Sequence, residues 1–241
     1  MENEIRLASM LKEGTRQFSF ELSQEMIQQL LIYKEILKEW NKVVNLTAIE
    51  EDSEIIIKHY LDSMSILPYL KNTKIKLIDI GTGAGFPGLP VKIAYSNIDV
   101  VLLDSLDKRL KFLKEVIRKL KLEGIITVHG RAEDFGVKQG YREGFDVVVA
   151  RAVASLPILL EYCLPFVKVG GIFIAMKGSN IEEIQHSMKA LNILGGSIEK
   201  IYEIILPYSE IKRTIIIIKK LRHSPTNYPR KAGKPSKEPL I

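Results

Sequence analysis

Little in this chain ties it to a membrane or to the outside of a cell. Of its 241 residues one is cysteine, Cys163. A single thiol excludes an internal disulfide framework and any site held by several thiolates, and it suits a reducing compartment. The N-terminus, MENEIRLASMLKEG, lacks a cationic start followed by an apolar stretch, so no signal peptide is expected. No apolar run approaches the roughly 20 residues that span a bilayer. Histidines are also few, four in all. His129, His186 and His223 are scattered without ligand spacing, and no metal is expected. The expectation is a cytoplasmic protein that does not enter a membrane.

What is present begins with 46% apolar residues, enough for one substantial core and a small appended unit. The net charge of +6 is concentrated at the C-terminal end. Lys219 to Ile241 holds Lys219, Lys220, Arg222, Arg230, Lys231, Lys234 and Lys237 against Glu238, so 7 minus 1 accounts for all of it. With four prolines and Tyr228, this segment reads as an arm that follows a phosphate backbone, or equally as a solvated tail that aids solubility.

Three regions follow from the pattern. Residues 1–70 read as a helical region packed on the core. Ser23 caps a segment in which Met26, Ile27, Leu30, Leu31, Ile36, Leu37 and Trp40 recur at helical spacing, and a second helix runs from Asp52 to Leu67 before Pro68. Residues 71–221 alternate short β-rich runs (KLIDI, DVVLLD, IITVHG, FDVVVARA, GGIFIAM, IEKIYEIIL, RTIIIIKK) with helix-like segments (SLDKRLKFLKEVIRKLKL, PILLEYCLPFV, IEEIQHSMKALNIL). Alternation with continuously apolar strands predicts a mostly parallel seven-stranded sheet covered on both faces. The loop around Pro207 and Tyr208 is too short for a crossover, so the last two strands are expected to be antiparallel. Residues 222–241 form the basic tail.

The first strand ends in IDIGTGAGFPGLP. Gly83, Gly85 and Gly88 match G-x-G-x-x-G, and from Gly81 the pattern is G-x-G-x-G. In a parallel sheet this loop lies beyond the carboxyl ends of the strands, where ligands bind. A dinucleotide pyrophosphate needs backbone N–H groups at the next helix, and Pro87 and Pro90 delete two of them. No Gly-Lys-Ser or Gly-Lys-Thr follows for a nucleotide triphosphate. An adenosine cofactor without phosphate, S-adenosylmethionine, fits better. Asp104, 23 residues after Gly81 at the end of the second strand, is placed to accept both ribose hydroxyls or to cap the next helix, a duty Ser105 could share. Ala132 and Glu133 follow the third strand and could flank the adenine. Asp79, one residue before the first strand ends, is placed to face the cationic part of the cofactor.

The sequence here resembles the bacterial 16S ribosomal RNA (guanine-7) methyltransferases, historically called glucose-inhibited division protein B. The shared residues run through Glu39-Trp40-Asn41, Asn45-Leu46-Thr47, His59 with Asp62-Ser63, the loop Asp79 to Gly88, Asp104-Ser105-Leu106 with Lys108-Arg109, Arg131-Ala132-Glu133, Ala150-Arg151-Ala152, Lys177-Gly178 and Tyr228-Pro229-Arg230. The resemblance implies a Rossmann-like class I methyltransferase that binds S-adenosylmethionine through Gly81, Phe86, Asp104, Ser105, Ala132, Glu133 and Arg151. It also implies methylation of a guanine in the 530 loop of 16S ribosomal RNA. The expected partner is 16S ribosomal RNA or the 30S particle, and a monomer is expected.

The available side chains suit that reaction. Exocyclic amine methyltransferases resemble one another in an Asp-Pro-Pro-Tyr or Asn-Pro-Pro-Tyr motif after the fourth strand, where this chain has ARAVASLP. Methylation of pyrimidine carbon 5 needs a thiolate, and Cys163 sits in the apolar run LLEYCLPF. Nitrogen 7 of guanine has a free lone pair and loses no proton. Arg151 and Lys177 end the fourth and fifth strands and are expected to orient the reactants: Arg151 on the methionyl carboxylate or an RNA phosphate, Lys177 on the guanine edge or a phosphate, with an ion pair to a neighbouring acid as the structural alternative. His59 and Asp62, three apart on a helix, are expected to pair with each other in domain packing. Two other classes share some of these features: a non-enzymatic RNA-binding assembly factor and an NAD-dependent oxidoreductase.

Overall fold

A computed structural model describes residues 2–70, 73–178 and 182–241. Helix α1 (Glu2–Arg16) leads to α2 (Gln24–Val44), which starts where Ser23 accepts the Met26 N–H at 3.2 Å. The expected second helix is composite. It runs through α3 (Asp52–Ile55), a π-helical stretch Ile56–Leu61 and α4 (Asp62–Met64). The wider π turn changes which side chains share a face, a device common near functional sites. The boundary drawn between residues 70 and 71 abuts residues 71 and 72, which lie outside the described residues.

The sheet and its crossovers then follow in chain order: β1 (Lys76–Ile80), α5 (Gly88–Ala94), β2 (Asp99–Asp104), α6 (Asp107–Lys119), β3 (Ile125–His129), α7 (Ala132–Phe135), β4 (Phe145–Arg151), α8 (Leu156–Cys163), β5 (Val167–Lys177), α9 (Glu182–Gln185), α10 (Met188–Leu194), β6 (Gly196–Ile205), β7 (Lys212–Lys220) and α11 (Lys234–Lys237). The helix expected over 181–194 begins at a residue outside the described set and is divided in two, with a turn in which the Ser187 hydroxyl bonds the Glu183 carbonyl at 2.6 Å.

The seven strands lie in the order β3-β2-β1-β4-β5-β7-β6. Strands β1 to β5 are parallel, and β7 runs antiparallel to both β5 and β6, as the short connection before it requires. Strand order reverses between β1 and β4, so the crevice of a doubly wound sheet opens at the carboxyl ends of those two strands. One face of the sheet shares a core with the N-terminal helices, through Leu30, Tyr33, Leu37 and Tyr60 against Leu77, Leu89, Leu102 and Phe112. The N-terminal region thereby grips the glycine loop: the buried Tyr33 hydroxyl donates to the Ala84 carbonyl, and its ring stacks on Phe86 at 5.6 Å. The opposite face is covered by α8, α10 and the end of the chain, with Leu240 buried.

The basic C-terminal segment is therefore not a free arm. The Arg142 guanidinium donates to the carbonyls of Ser224 and Tyr228, both at 2.7 Å, and Arg230 is ion-paired with buried Glu161 at 2.6 Å. Lys220 is itself buried, donating to the Leu164 carbonyl at 2.7 Å, and burial lowers it to about 8. Several of the cations counted as an RNA arm are thus used inside the protein, while Lys231, Lys234 and Lys237 remain exposed.

Candidate functional site: two adjoining cavities at the carboxyl edge

Two cavities open at the carboxyl edge of the sheet. The first, about 260 Å³, lies over β1, β2 and β3 and is lined by Gly81, Asp104, Ser105, Ala132 and Glu133, with Ile80, Leu103, Gly130, Arg131, Val153 and Tyr162 completing it. The second, about 310 Å³, lies over β4 and β5 and is lined by Lys58, His59, Asp62, Arg151, Lys177 and Arg213 with Ile49, Ala152, Met176 and Gly178. Ala152 faces one and its neighbour Val153 the other, so the two adjoin at the end of β4.

The glycine loop is built from inside. Gly81 and Gly83 have φ of +69° and +61°, a left-handed region that disfavours any side chain. A Cβ on Gly83 would meet nothing nearer than 4.0 Å, so the loop presents bare backbone there, whereas one on Gly81 would strike Val153 at 2.9 Å. Asp104 Oδ2 accepts the Gly83 N–H at 2.9 Å and Oδ1 accepts the Leu106 N–H at 2.9 Å. The two sequence readings of Asp104 are therefore compatible. It caps the turn into α6 and pins the loop, and with Arg109 Nη1 also donating to Oδ2 at 3.3 Å the carboxylate keeps an acceptor position on Oδ1 for a hydroxyl. Ser105 is exposed beside it.

Three residues expected at the cofactor lie behind the loop instead. Asp79 is fully buried and its Oδ2 accepts from the Thr82 hydroxyl at 2.7 Å and the Gly88 N–H at 2.8 Å. It faces the root of α5 rather than a ligand. Burial pushes its carboxyl up to about 6, against the pull of those two hydrogen bonds. Gly85 is a packing glycine, because a Cβ there would strike Leu89 at 2.5 Å and the Tyr33 hydroxyl at 2.7 Å. Phe86 is 5% exposed and forms a platform, with the His59 ring stacked on it at 4.4 Å and the Arg151 guanidinium 5.1 Å from its centroid. The helix N-terminus that would take a dinucleotide pyrophosphate is already occupied by the protein's own carboxylate, Asp79.

Long-range charge pairing assembles the second cavity. Arg151 Nη1 donates to Asp62 Oδ2 at 3.0 Å and to the Lys58 carbonyl at 2.9 Å, and its Nη2 meets His59 Nδ1 at 3.3 Å. Arg213, at the start of β7, donates to the same Asp62 oxygen at 3.2 Å. A guanidinium only donates, so His59 Nδ1 accepts and Nε2 carries the hydrogen toward Thr47 Oγ1, 2.8 Å away. Burial, then the Arg151 charge, lowers His59 to about 3. His59 and Asp62 thus meet through Arg151 and not each other. Lys177 is paired with Glu183 at 2.8 Å and donates to the Ala154 carbonyl at 2.8 Å, which realises the ion-pair alternative while leaving it in the cavity wall. Cys163 is fully buried and burial raises its thiol well above the usual range. Among the described residues no group of three or more His, Cys, Asp or Glu side chains is placed to hold a metal ion.

Residues 26–209 match the GidB family, described as rRNA small subunit methyltransferase G. The chain belongs to that family. It is 61% identical over 239 residues to the ribosomal RNA small subunit methyltransferase G of Acetivibrio thermocellus, covering 99% of each chain, and 52% identical to the protein of that name from Alkaliphilus oremlandii, covering 98% of this chain and 100% of the relative. Among solved structures it resembles M. jannaschii TYW2 in complex with AdoMet (TM-score 0.51, 15% identity, 64% of this chain and 72% of that one) and the YcgJ protein of Bacillus subtilis (TM-score 0.53, 13% identity, 68% and 100%). At those identities the likeness concerns the Rossmann-like fold alone. The matched residues include the whole lining of the first cavity and all of the second except Arg213.

Sequence reasoning missed Tyr162, Arg213 and Thr47. Tyr162 carried a helical signal, but period does not say which side chain meets a crevice. Arg213 opens a hairpin strand, where a cation usually faces water. Thr47 was noticed only as part of a motif.

Proposed function

We propose that this chain transfers the methyl group of S-adenosylmethionine to nitrogen 7 of a guanine in the 530 loop of 16S ribosomal RNA, acting as a cytoplasmic monomer on the RNA or the 30S particle. Family membership makes it an S-adenosylmethionine-dependent methyltransferase of small-subunit ribosomal RNA. The target atom is a matter of chemistry. The adenosine part suits the first cavity, where Asp104 and Glu133 supply acceptors and Gly81 and Gly83 allow backbone approach. The guanine suits the second.

The observation that carries the choice of nitrogen 7 is the state of His59. It is the one imidazole lining the second cavity, and it is held neutral with Nδ1 accepting from Arg151 and Nε2 directed at Thr47. It has no free nitrogen to take a proton from an amine or a hydroxyl. Asp62 Oδ2 is engaged by two guanidinium groups and its Oδ1 is buried away from the cavity surface, and Cys163 is out of reach of any substrate. A reaction that needs neither base nor thiolate remains. Bound here, S-adenosylmethionine supplies a methyl group on a positively charged sulfur, and that charge passes to the guanine on transfer. The residues need only align the partners and tolerate a cation. Pairing of Arg151 with Asp62 and of Lys177 with Glu183 lowers the positive charge that the cavity wall, which also carries Arg213, presents to the product.

The test is transfer of labelled methyl to small-subunit particles, large-subunit particles and tRNA in parallel, with the modified nucleoside identified by mass. Small-subunit 7-methylguanosine is expected. The single-turnover rate should stay nearly flat from about pH 6 to 9 because no base titrates. A different nucleoside, or a steep rise across that range, would reject the assignment.

A further inference from the structure

The C-terminal segment packs behind the first cavity, on residues that line it. Its path is fixed at three points. Arg142 binds the carbonyls of Ser224 and Tyr228. Arg230 donates to Glu161 from its backbone N–H at 2.8 Å and from Nε and Nη2 at 2.9 and 2.6 Å, a fork against a carboxylate that is 1% exposed. Glu161 immediately precedes Tyr162 on α8, so this pair ties the segment to the helix that carries a wall of the cavity. Three residues later the Gly233 N–H donates to Glu133 Oε1 at 2.9 Å, and the Ser236 hydroxyl closes the turn on the Gly233 carbonyl at 3.0 Å.

Glu133 itself lines the cavity and is 7% exposed, with no hydrogen bond from the described residues to its Oε2. Anchoring one carboxylate oxygen removes the rotational freedom of the group, so the other is pre-oriented toward hydroxyl or amino donors of a ligand. Gly233 has φ of +82°, and a Cβ there would meet nothing within 4 Å, so what the turn requires of this position is its backbone conformation and its N–H.

We propose that residues 228–238 buttress a wall of the cofactor cavity from behind and that Gly233 is a positioning residue for S-adenosylmethionine, acting through Glu133. The inference rests on reading the first cavity as the adenosine site. A segment that looks like a detached basic arm supports the cofactor's enclosure from outside, and the exposed Lys231, Lys234 and Lys237 are carried on the same strap.

The test uses the full-length protein and direct binding of S-adenosylmethionine measured by calorimetry, without RNA. Gly233→Pro removes the N–H and cannot adopt the positive φ, and it should weaken binding about tenfold, the size of one charge-assisted hydrogen bond. Glu133→Ala should weaken it at least as much, and the double variant should bind no worse than Glu133→Ala alone, because the two act in series. A structural defect unrelated to the cofactor would instead multiply the losses. If Gly233→Pro does not fold, Gly233→Ala, which keeps the N–H but strains the turn, should still show a loss of a few fold that vanishes in the Glu133→Ala background. Wild-type affinity in folded Gly233→Pro, or equal losses in both backgrounds, would overturn the proposal. Unchanged affinity in Asp104→Ala would overturn it together with the adenosine reading, whereas a weakened Asp104→Ala beside an unaffected Gly233→Pro would reject the strap alone.

Discussion

The two cavities at the carboxyl edge are built in different ways. The one over β1, β2 and β3 takes its walls from turns that directly follow strands: Gly81 after β1, Asp104 and Ser105 at the end of β2, and Ala132 and Glu133 after β3. Apart from Tyr162 on α8, each wall residue sits within a few positions of a strand's carboxyl end. The one over β4 and β5 is joined by contacts between residues far apart in the chain, Arg151 to Asp62 across 89 positions and Arg213 to Asp62 across 151. A cavity assembled from local turns can serve the same cofactor in any doubly wound sheet. A cavity assembled by distant charges belongs to this arrangement of helices.

If the two are functionally distinct, substitutions in them should separate turnover from cofactor affinity. The largest effect is expected for Arg151→Lys, which keeps the charge but not the fork that joins Asp62, the Lys58 carbonyl and His59. Turnover at saturating cofactor should fall on the order of a hundredfold or more through lost alignment. Affinity for S-adenosylmethionine, read by calorimetry, should change far less. Collapse of affinity with turnover intact would merge the two cavities into one cofactor site.

Asp104→Ala should show the reverse pattern. It should weaken S-adenosylmethionine binding by about 1.5–3 kcal/mol, the range for hydrogen bonds to a charged group, while RNA affinity in a filter-binding assay stays as in the wild type. Because Asp104 also pins Gly83 and caps the turn into α6, Asp104→Asn, which retains one acceptor, should fall between the two. Equal loss in the Asn and Ala variants would mean that the carboxylate's charge, and not the capping bonds, governs the site.

The smallest effect concerns stability. His59 is lowered to about 3 from 6.5, so below about pH 6.5 the unfolded chain takes up a proton that the folded protein refuses, and this site loses stability as pH falls from about 6.5 toward 3. Asp79 works in the opposite sense. Its carboxyl is raised from 3.8 to about 6, so the folded protein takes up a proton first, and this site gains stability as pH falls from about 6 toward 4. In His59→Gln only the second effect remains. Denaturant titrations should therefore show the wild type losing ground to His59→Gln by a few kcal/mol between pH 6.5 and 4. A constant difference across that range would mean that His59 is charged in the folded protein.

Much of this was legible in the sequence where physics is local. The strand runs KLIDI and DVVLLD coincide with β1 and β2, the short hairpin loop required an antiparallel pair, and Ser23 caps α2. The glycine loop with Asp104, Ala132 and Glu133 pointed to the first cavity because each lies at a strand end, where periodicity already places a ligand site. Asp79 and Gly85 were assigned to the cofactor from their place in the same loop and Phe86 from the family resemblance, and the structure packs all three toward the interior. A sequence shows that a residue is near a loop but not on which side of it the side chain points. His59, read as a partner of Asp62 on helical spacing, sits on a π turn that the pattern did not reveal.

The charged groups show most plainly where the sequence stops. Composition alone located the excess of cations in the last residues, and a linear reading offers them to solvent or to RNA. Only the tertiary structure brings Arg230 to buried Glu161 and Arg142 to the carbonyls of Ser224 and Tyr228, and so turns the segment into a strap. The alternation of apolar strands and amphipathic helices determined the sheet, the order of its crossovers and the edge at which a ligand sits, because hydrophobic burial acts on patterns a few residues long. Which cation meets which carboxylate was decided by the folded chain, since a charge pair depends on distance and burial, and neither exists until the sheet has brought residues some 90 to 150 positions apart into contact.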